Sequence, residues 1–294
     1  MHRAYAAGVL RSIVTTQVHP EVVDMMQVLG HQWQVPVAIV SKNDYKAKLK
    51  DILQATAADA AFVLTFPWRI PEDVLGIPRL GFFNFHHGRL PEMRGADPVF
   101  ECVRQGMAEA GSCVHMMSAA FDAGPIVLQQ AVPFTPDFTY GMLSGRMAEA
   151  GAQMCDQLIR MIKEDTLPGP VPQDESKAVY WPRIGAADLR IDWRQMSWQQ
   201  IKALVKACNP LLRGVPTSIN GWQIGLTDVC EVAIQGDASH IAPGTVLAAD
   251  PQNGLVVCCQ DGKALRIEVI YAEEGTMAGF RLQQWGIAPG AVFT

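Results

Sequence analysis

The feature that most constrains this chain is the regular alternation of apolar strand-like and amphipathic helical segments in its N-terminal part. Val9 to Thr16 reads as a buried strand, and His19 to Leu29 sets Val22, Val23, Met26 and Leu29 at helical spacing. Val35 to Val40 repeats the strand pattern, Asp44 to Leu53 is a Lys-rich amphipathic helix, and Ala60 to Thr65 is a third short apolar strand. Strands separated by helices pair in parallel with crossover connections, so an α/β fold is expected.

A turn at Phe66 to Pro71 leads to a fourth strand, Leu80 to His86, whose last residues are polar. In open α/β sheets ligands bind beyond that end of the strands. Asp97 to Gln105 and Gly141 to Glu164 read as helices. Between them Cys113 to Met117 and Ile126 to Val132 read as strands, and the sheet is expected to turn partly antiparallel. The Met-rich stripe of the second helix reads as core.

Thr166 to Pro172 is a Pro-rich connector, and the texture changes beyond it. One helix, Ser197 to Ala207, precedes short strand-like stretches within Ser218 to Cys230 and at Gly244 to Ala249, Gly254 to Cys259 and Ala264 to Tyr271, punctuated by Asn-Gly and Asp-Gly turns. The expected organisation is a first domain over residues 1–165, a linker over 166–180 and a small β-barrel over 181–294.

Hydrophobic residues form 49% of the 294-residue chain and charged residues 18%, enough apolar material for a packed core. The net charge is −5 and the cations are scattered singly, against a nucleic-acid partner. Seven cysteines without a C-x-x-C pair indicate neither a disulfide frame nor a metal site, and no apolar run is long enough for a membrane span. A reducing cytoplasmic setting is expected.

At the end of the fourth strand Asn84 and His86 share one face, while Phe85 and His87 take the other. A carboxamide beside an imidazole offers a donor to a developing oxyanion and a group that moves a proton near neutral pH. Each residue alone also serves as an ordinary hydrogen-bonded strand end, and His87 reads as structural. Leu90 to Pro98 forms a Pro- and Gly-punctuated loop in which Arg94 and Gly95 fix the backbone, and Asp122 lies in a tight turn between two strands.

These pieces together resemble the 10-formyltetrahydrofolate-dependent formyltransferase family: Asn84-Phe85-His86, then Leu90-Pro91-Glu92-Met93-Arg94-Gly95-Ala96-Asp97-Pro98, then Asp122-Ala123-Gly124. Tyr180-Trp181-Pro182-Arg183-Ile184, Ile191-Asp192-Trp193 and Ala207-Cys208-Asn209-Pro210 extend the resemblance to a C-terminal barrel of the kind found in methionyl-tRNA formyltransferases.

The resemblance implies a Rossmann-like catalytic domain followed by an OB-like barrel, with 10-formyltetrahydrofolate as formyl donor and a primary amine as acceptor. It implies that Asn84 hydrogen-bonds the formyl oxygen, that His86 stabilises the oxyanion, and that Asp122 takes up a proton and orients His86. It places Phe66, Trp68, Arg69, Ile70 and Leu90 at the pterin pocket.

Two departures bear on function. Only about eight residues precede the first strand, where relatives carry a further strand and a Gly-containing turn, so either that start lies elsewhere or the sheet lacks a strand. Members that act on initiator tRNA carry a basic loop after the strand aligned with Ile13 to Thr15, whereas Gln17 to Gln34 contains no Lys or Arg. The expected acceptor is therefore an amino-sugar nucleotide or a carrier-bound aminoacyl compound. A methionyl-tRNA acceptor and a non-catalytic folate-binding homologue are the alternatives.

Overall fold

The computed structural model describes residues 1–234 and 240–294 and divides them into two compact units. The first comprises 1–95, 111–132 and 147–181, the second 96–110, 133–146 and 182–294. This differs from the single cut expected at 166–180. Two early excursions group with the C-terminal residues, because burial partners, which local sequence does not reveal, decide the grouping.

The first unit opens with a short helix α1 (His2–Ala6), followed by β1 (Ile13–Thr16), α2 (Pro20–Trp33), β2 (Val37–Val40), α3 (Tyr45–Thr56), β3 (Ala61–Val63), α4 (Glu72–Leu75) and β4 (Phe82–His86). The helix–strand alternation follows the pattern of the sequence. The sheet, however, falls into two parts: β1 pairs with β2 in parallel, and β3, β4 and the later β6 (Glu109–Met116) and β7 (Ile126–Pro133) form a separate sheet in that order.

Within the larger sheet β3 and β4 are parallel, while β6 (Glu109–Met116) runs antiparallel to β4. Ile13 donates to the Pro36 carbonyl and Ala61 to that of Gly81, so the alternate amides of Val14 and Phe62 point to the opposite edges. Those edges have no strand partner among the described residues.

Both faces of this unit are covered. Val40, Leu49, Leu53, Val74 and Phe82 form one buried cluster, with Val14 and Val63 packed against it. Phe83, Phe85 and Val114 form the other, with Met154, Leu158 and Ile159 of α6 (Tyr140–Lys163). Phe82 and Phe83 go to opposite faces by strand parity, each burial contributing roughly 1.5–3 kcal/mol. The alternation that places Phe83 and Phe85 in the core turns Asn84 and His86 the other way.

The residues expected to be a linker are built into the first unit. Val171 bridges Ile126, next to the start of β7 (Ile126–Pro133), and β8 (Tyr180–Trp181) pairs in parallel with β5 (Arg94–Gly95).

In the second unit α5 (Pro98–Arg104) is buried over residues 98–103 and packs on α7 (Trp198–Cys208). A capping box of Ser197 and Gln200 starts α7. Six strands follow: β9 (Val215–Ile219), β10 (Trp222–Val232), β11 (Val246–Asp250), β12 (Gly254–Cys258), β13 (Ala264–Ala272) and β14 (Gly275–Ala278). Their order is β11-β12-β13-β10-β9, with β14 on β13.

The C-terminal residues join the two ends of that order, Phe293 bridging Ile219 of β9 and Val292 bridging Thr245 beside β11. The sheet thereby closes into the small barrel expected from the sequence. No helix among the described residues is long and apolar enough to cross a membrane.

Candidate active site

Phe83 and Phe85, core-facing residues of β4, leave Asn84 and His86 on the opposite face, at the end of the sheet where β3 stops and the β6–β7 hairpin turns. Antiparallel pairing sets Asn84 opposite His115 of β6. Asp122 sits in the hairpin turn in left-handed backbone, with φ of +52°, a conformation that Asp tolerates better than most residues.

Hydrogen-bond partners fix the two imidazoles. His86 Nε2 lies 2.6 Å from the Met93 carbonyl oxygen, and a carbonyl only accepts, so Nε2 carries a proton. Nδ1 is then the ring nitrogen of His86 turned toward Asp122. His115 Nδ1 likewise donates to the Met116 carbonyl at 2.9 Å. Burial, above all, pushes the His115 pKa down to about 4, so its ring is neutral at neutral pH and Nε2 holds a lone pair.

That lone pair accepts from Asn84 Nδ2 at 3.0 Å. The contact orients the carboxamide and leaves its second N–H available to another acceptor. Asp122 Oδ1 stands 3.8 Å from His86 Nδ1 and 3.8 Å from His115 Nε2, too far for direct hydrogen bonds. The other carboxylate oxygen, Oδ2, accepts from the Gly95 amide at 3.0 Å. The Asp122 carboxylate oxygen and His86 Nδ1 thus face a space suited to a proton or to an N–H group of an amine.

Beside them lies a cleft of about 60 Å³ lined by Phe66, Trp68, Arg69 and Ile70, together with Asn84, His115, Phe121 and Asp122. Tyr45 of α3 sets the wall by donating its hydroxyl to the Arg69 carbonyl at 2.7 Å. The Arg69 guanidinium sits 5.2 Å from the centre of the Phe121 ring and spans the cleft's rim.

Four of the five residues expected at the pterin pocket line this cleft, and Leu90 does not. It is 2% exposed and its amide donates to Gln129 Oε1, so its apolar side chain is spent on core packing. Arg94 is fully buried away from the cleft and binds Glu175, Gln173 and Tyr180. Gly95, at φ +125°, passes so close to Trp181 that a Cβ would collide with its carbonyl.

A family model for formyl transferases matches residues 11–159, and one for the formyl transferase C-terminal domain matches 183–281. The chain belongs to the formyl transferase family. It is 34% identical over 236 residues to a methionyl-tRNA formyltransferase of Burkholderia ambifaria, covering 79% of this chain and 70% of that protein. It is 33% identical over 223 residues to one of Stenotrophomonas maltophilia, covering 74% and 68%. Across these relatives the chain spans between 63% and 70% of their length.

Among solved structures, HypX from Aquifex aeolicus in complex with tetrahydrofolic acid superposes with a TM-score of 0.61 at 18% identity, over 93% of this chain and 47% of that one. An N-formyltransferase from Helicobacter canadensis, in complex with folinic acid and dTDP-3-aminofucose, gives 0.57 at 16% identity, over 87% and 98%. At such identities the likeness is one of fold.

In this formyl transferase chain the residue that sequence reasoning missed is His115. Its neighbours Val114 and Met116 make it read as an ordinary strand position. The available signal was the parity of β6, which turns His115 to the side opposite the buried Val114, but the pairing that sets it beside Asn84 is a matter of register between distant strands. His87 falls where parity put it, on the face away from Asn84 and close to Gly151 of α6, and burial lowers its pKa.

Proposed function

We propose that the chain transfers a formyl group from 10-formyltetrahydrofolate to a primary amine. The observation that carries the proposal is the meeting of one oriented N–H donor, Asn84, with the Asp122 carboxylate and His86 Nδ1 beside an aromatic cleft. The walls from Phe66, Trp68 and Ile70 suit a flat bicyclic ring, and parting of the Arg69–Phe121 stack would enlarge a cleft that is small beside ordinary ligand sites.

In this reading the folate supplies the formyl carbon. Asn84 donates its free N–H to the formyl oxygen, and protonated His86 Nδ1 adds a second donor as negative charge develops there. The attacking amine nitrogen becomes positive as it bonds to carbon and passes a proton to Asp122 Oδ1. As the tetrahedral centre collapses, the bond from the formyl carbon to the folate nitrogen breaks and the proton taken up by Asp122 passes to that departing nitrogen.

Replacing Asn84, His86 or Asp122 by Ala and measuring folate-dependent formyl transfer tests this, with losses on the order of a hundredfold or more expected. Unchanged rates in all three variants would sink it.

A small or carrier-bound amine, such as an amino-sugar nucleotide, is the acceptor that the charge pattern supports. Gln17 to Gln34 lacks cations, and residues 183–294 carry nine Lys and Arg against ten Asp and Glu. Several of those cations are already paired, Lys202 with Asp137, Lys206 with Asp228 and Arg266 with Glu268. The names of the relatives that are 33–35% identical favour a second reading, methionyl-tRNA. A gel-shift titration with initiator tRNA over a salt series separates the two, because a phosphate-contacting protein shows a steep salt slope and this charge distribution predicts a shallow one.

A further inference from the structure

Asp122 is held by a stretch of chain that composition alone marks as a connector. Gln173 Nε2 donates to the carbonyl oxygens of both Asp122 and Gly124, at 2.8 and 2.7 Å. Its Oε1 accepts from Arg94 Nε and Nη2, at 3.0 and 2.7 Å. Every hydrogen-bonding position of one side-chain amide is thereby used, and the amide has only one orientation that satisfies all four partners.

Arg94 in turn binds Glu175 through Nη1 and Nη2, at 3.0 and 2.7 Å, and donates to the Tyr180 hydroxyl at 3.0 Å. Tyr180 in turn donates its hydroxyl hydrogen bond to the Phe121 carbonyl oxygen at 3.2 Å. The carbonyls of residues 121, 122 and 124 are therefore all tied to side chains between 173 and 180. The β5–β8 pairing carries the next link, Gly95, whose amide meets the Asp122 carboxylate.

The turn needs such restraint. A left-handed backbone such as that of Asp122 is strained for a non-glycine residue and persists only where its surroundings over-determine it. We propose that Gln173 is a positioning residue of the formyl-transfer reaction, fixing the Asp122 carboxylate against His86 and His115 by coupling the buried Arg94 guanidinium to the hairpin turn. The proposal rests on the formyl-transfer reading above, and its test is built so that the two fail separately.

Gln173→Glu keeps the acceptor for Arg94 and removes both donors to the turn, while Gln173→Met removes both functions. Both variants lose tenfold or more in kcat while KM for the folate stays within about twofold, because the Phe66, Trp68 and Ile70 wall lies on a segment that Gln173 does not hydrogen-bond. Exchange of the Gly95 amide, followed by hydrogen–deuterium exchange, accelerates at least tenfold in Gln173→Glu as its carboxylate partner is released.

Wild-type kcat together with wild-type Gly95 protection in a folded Gln173→Glu protein overturns the proposal. Should the wild-type protein transfer no formyl group to any amine, the function reading fails. The exchange rate then decides this one alone, faster exchange supporting it and unchanged exchange refuting it.

Discussion

Gly124→Ala isolates the packing of the hairpin that presents Asp122. A Cβ built on Gly124 falls on the Met116 carbonyl oxygen, far inside the 3.0 Å that real Cβ atoms respect, and 2.9 Å from the carbonyl carbon. Its φ lies outside the left-handed region, so the obstacle is steric alone. The oxygen cannot yield on its own, since the same peptide strand is pinned by Met116 N–H to the Pro125 carbonyl at 2.9 Å and by Met117 N–H to that of Phe82 at 2.8 Å.

Relief requires the hairpin to open, at an overpacking cost of about 1–3 kcal/mol plus about 1 kcal/mol for the Met116–Pro125 hydrogen bond. The total, about 2–4 kcal/mol, corresponds to a fall in Tm of about 3–6 °C for a chain of this size. A displacement of about 1 Å at Asp122 lowers kcat on the order of a hundredfold. Gly145→Ala is the control: its Cβ meets nothing within 4 Å on the exposed side of α6, and the substitution raises stability by about 0.5–1 kcal/mol. Thermal melting and turnover at saturating folate check both variants. Equal melting and turnover in Gly124→Ala and wild type would refute the reasoning.

Stability is expected to depend on pH through His115. Its folded pKa of about 4 lies below the usual 6.5, so the unfolded chain binds more protons between those values; the stability present above 6.5 is lost as pH falls toward 4. His115→Gln flattens that slope in denaturant titrations run on either side of the window, and an unchanged slope assigns the acid sensitivity elsewhere. In hydrogen exchange, the Val14 and Phe62 amides on the unpaired edges exchange on the order of tenfold faster than those of Ile13 and Ala61, which donate to Pro36 and Gly81. Equal protection would mean that the edges are covered.

Local pattern was enough for the elements and for half of the site. Strand parity put Asn84 and His86 on one face and Phe85 on the other, and turn chemistry marked Asp122, because both are properties of a few adjacent residues. The division of the sheet between β1–β2 and β3–β4 showed in the sequence only as the alternative that the sheet lacks a strand, since apolar runs show that a segment is a strand without showing what pairs with it. The same limit hid His115 and Gln173. One became part of the site by register against a strand 31 residues away in sequence, the other by hydrogen bonds spanning 49 to 79 residues. Leu90, expected at the pterin pocket from its motif position, is buried and does not line the cleft, a matter of packing that the motif does not report.

The interleaving of the two units bears on how such a chain can be inherited. A recombination event that joined a new C-terminal region at residue 165 would leave the six buried residues of α5 without the α7 surface on which they pack, and would discard Gln173, Glu175 and Tyr180 from around Arg94. A viable exchange would need matched breakpoints on either side of 96–110 and 133–146 as well. The barrel and the sheet, though recognised by separate family models, are therefore expected to descend as one linked block, with substitutions on α5 and α7 compensating one another along the lineage.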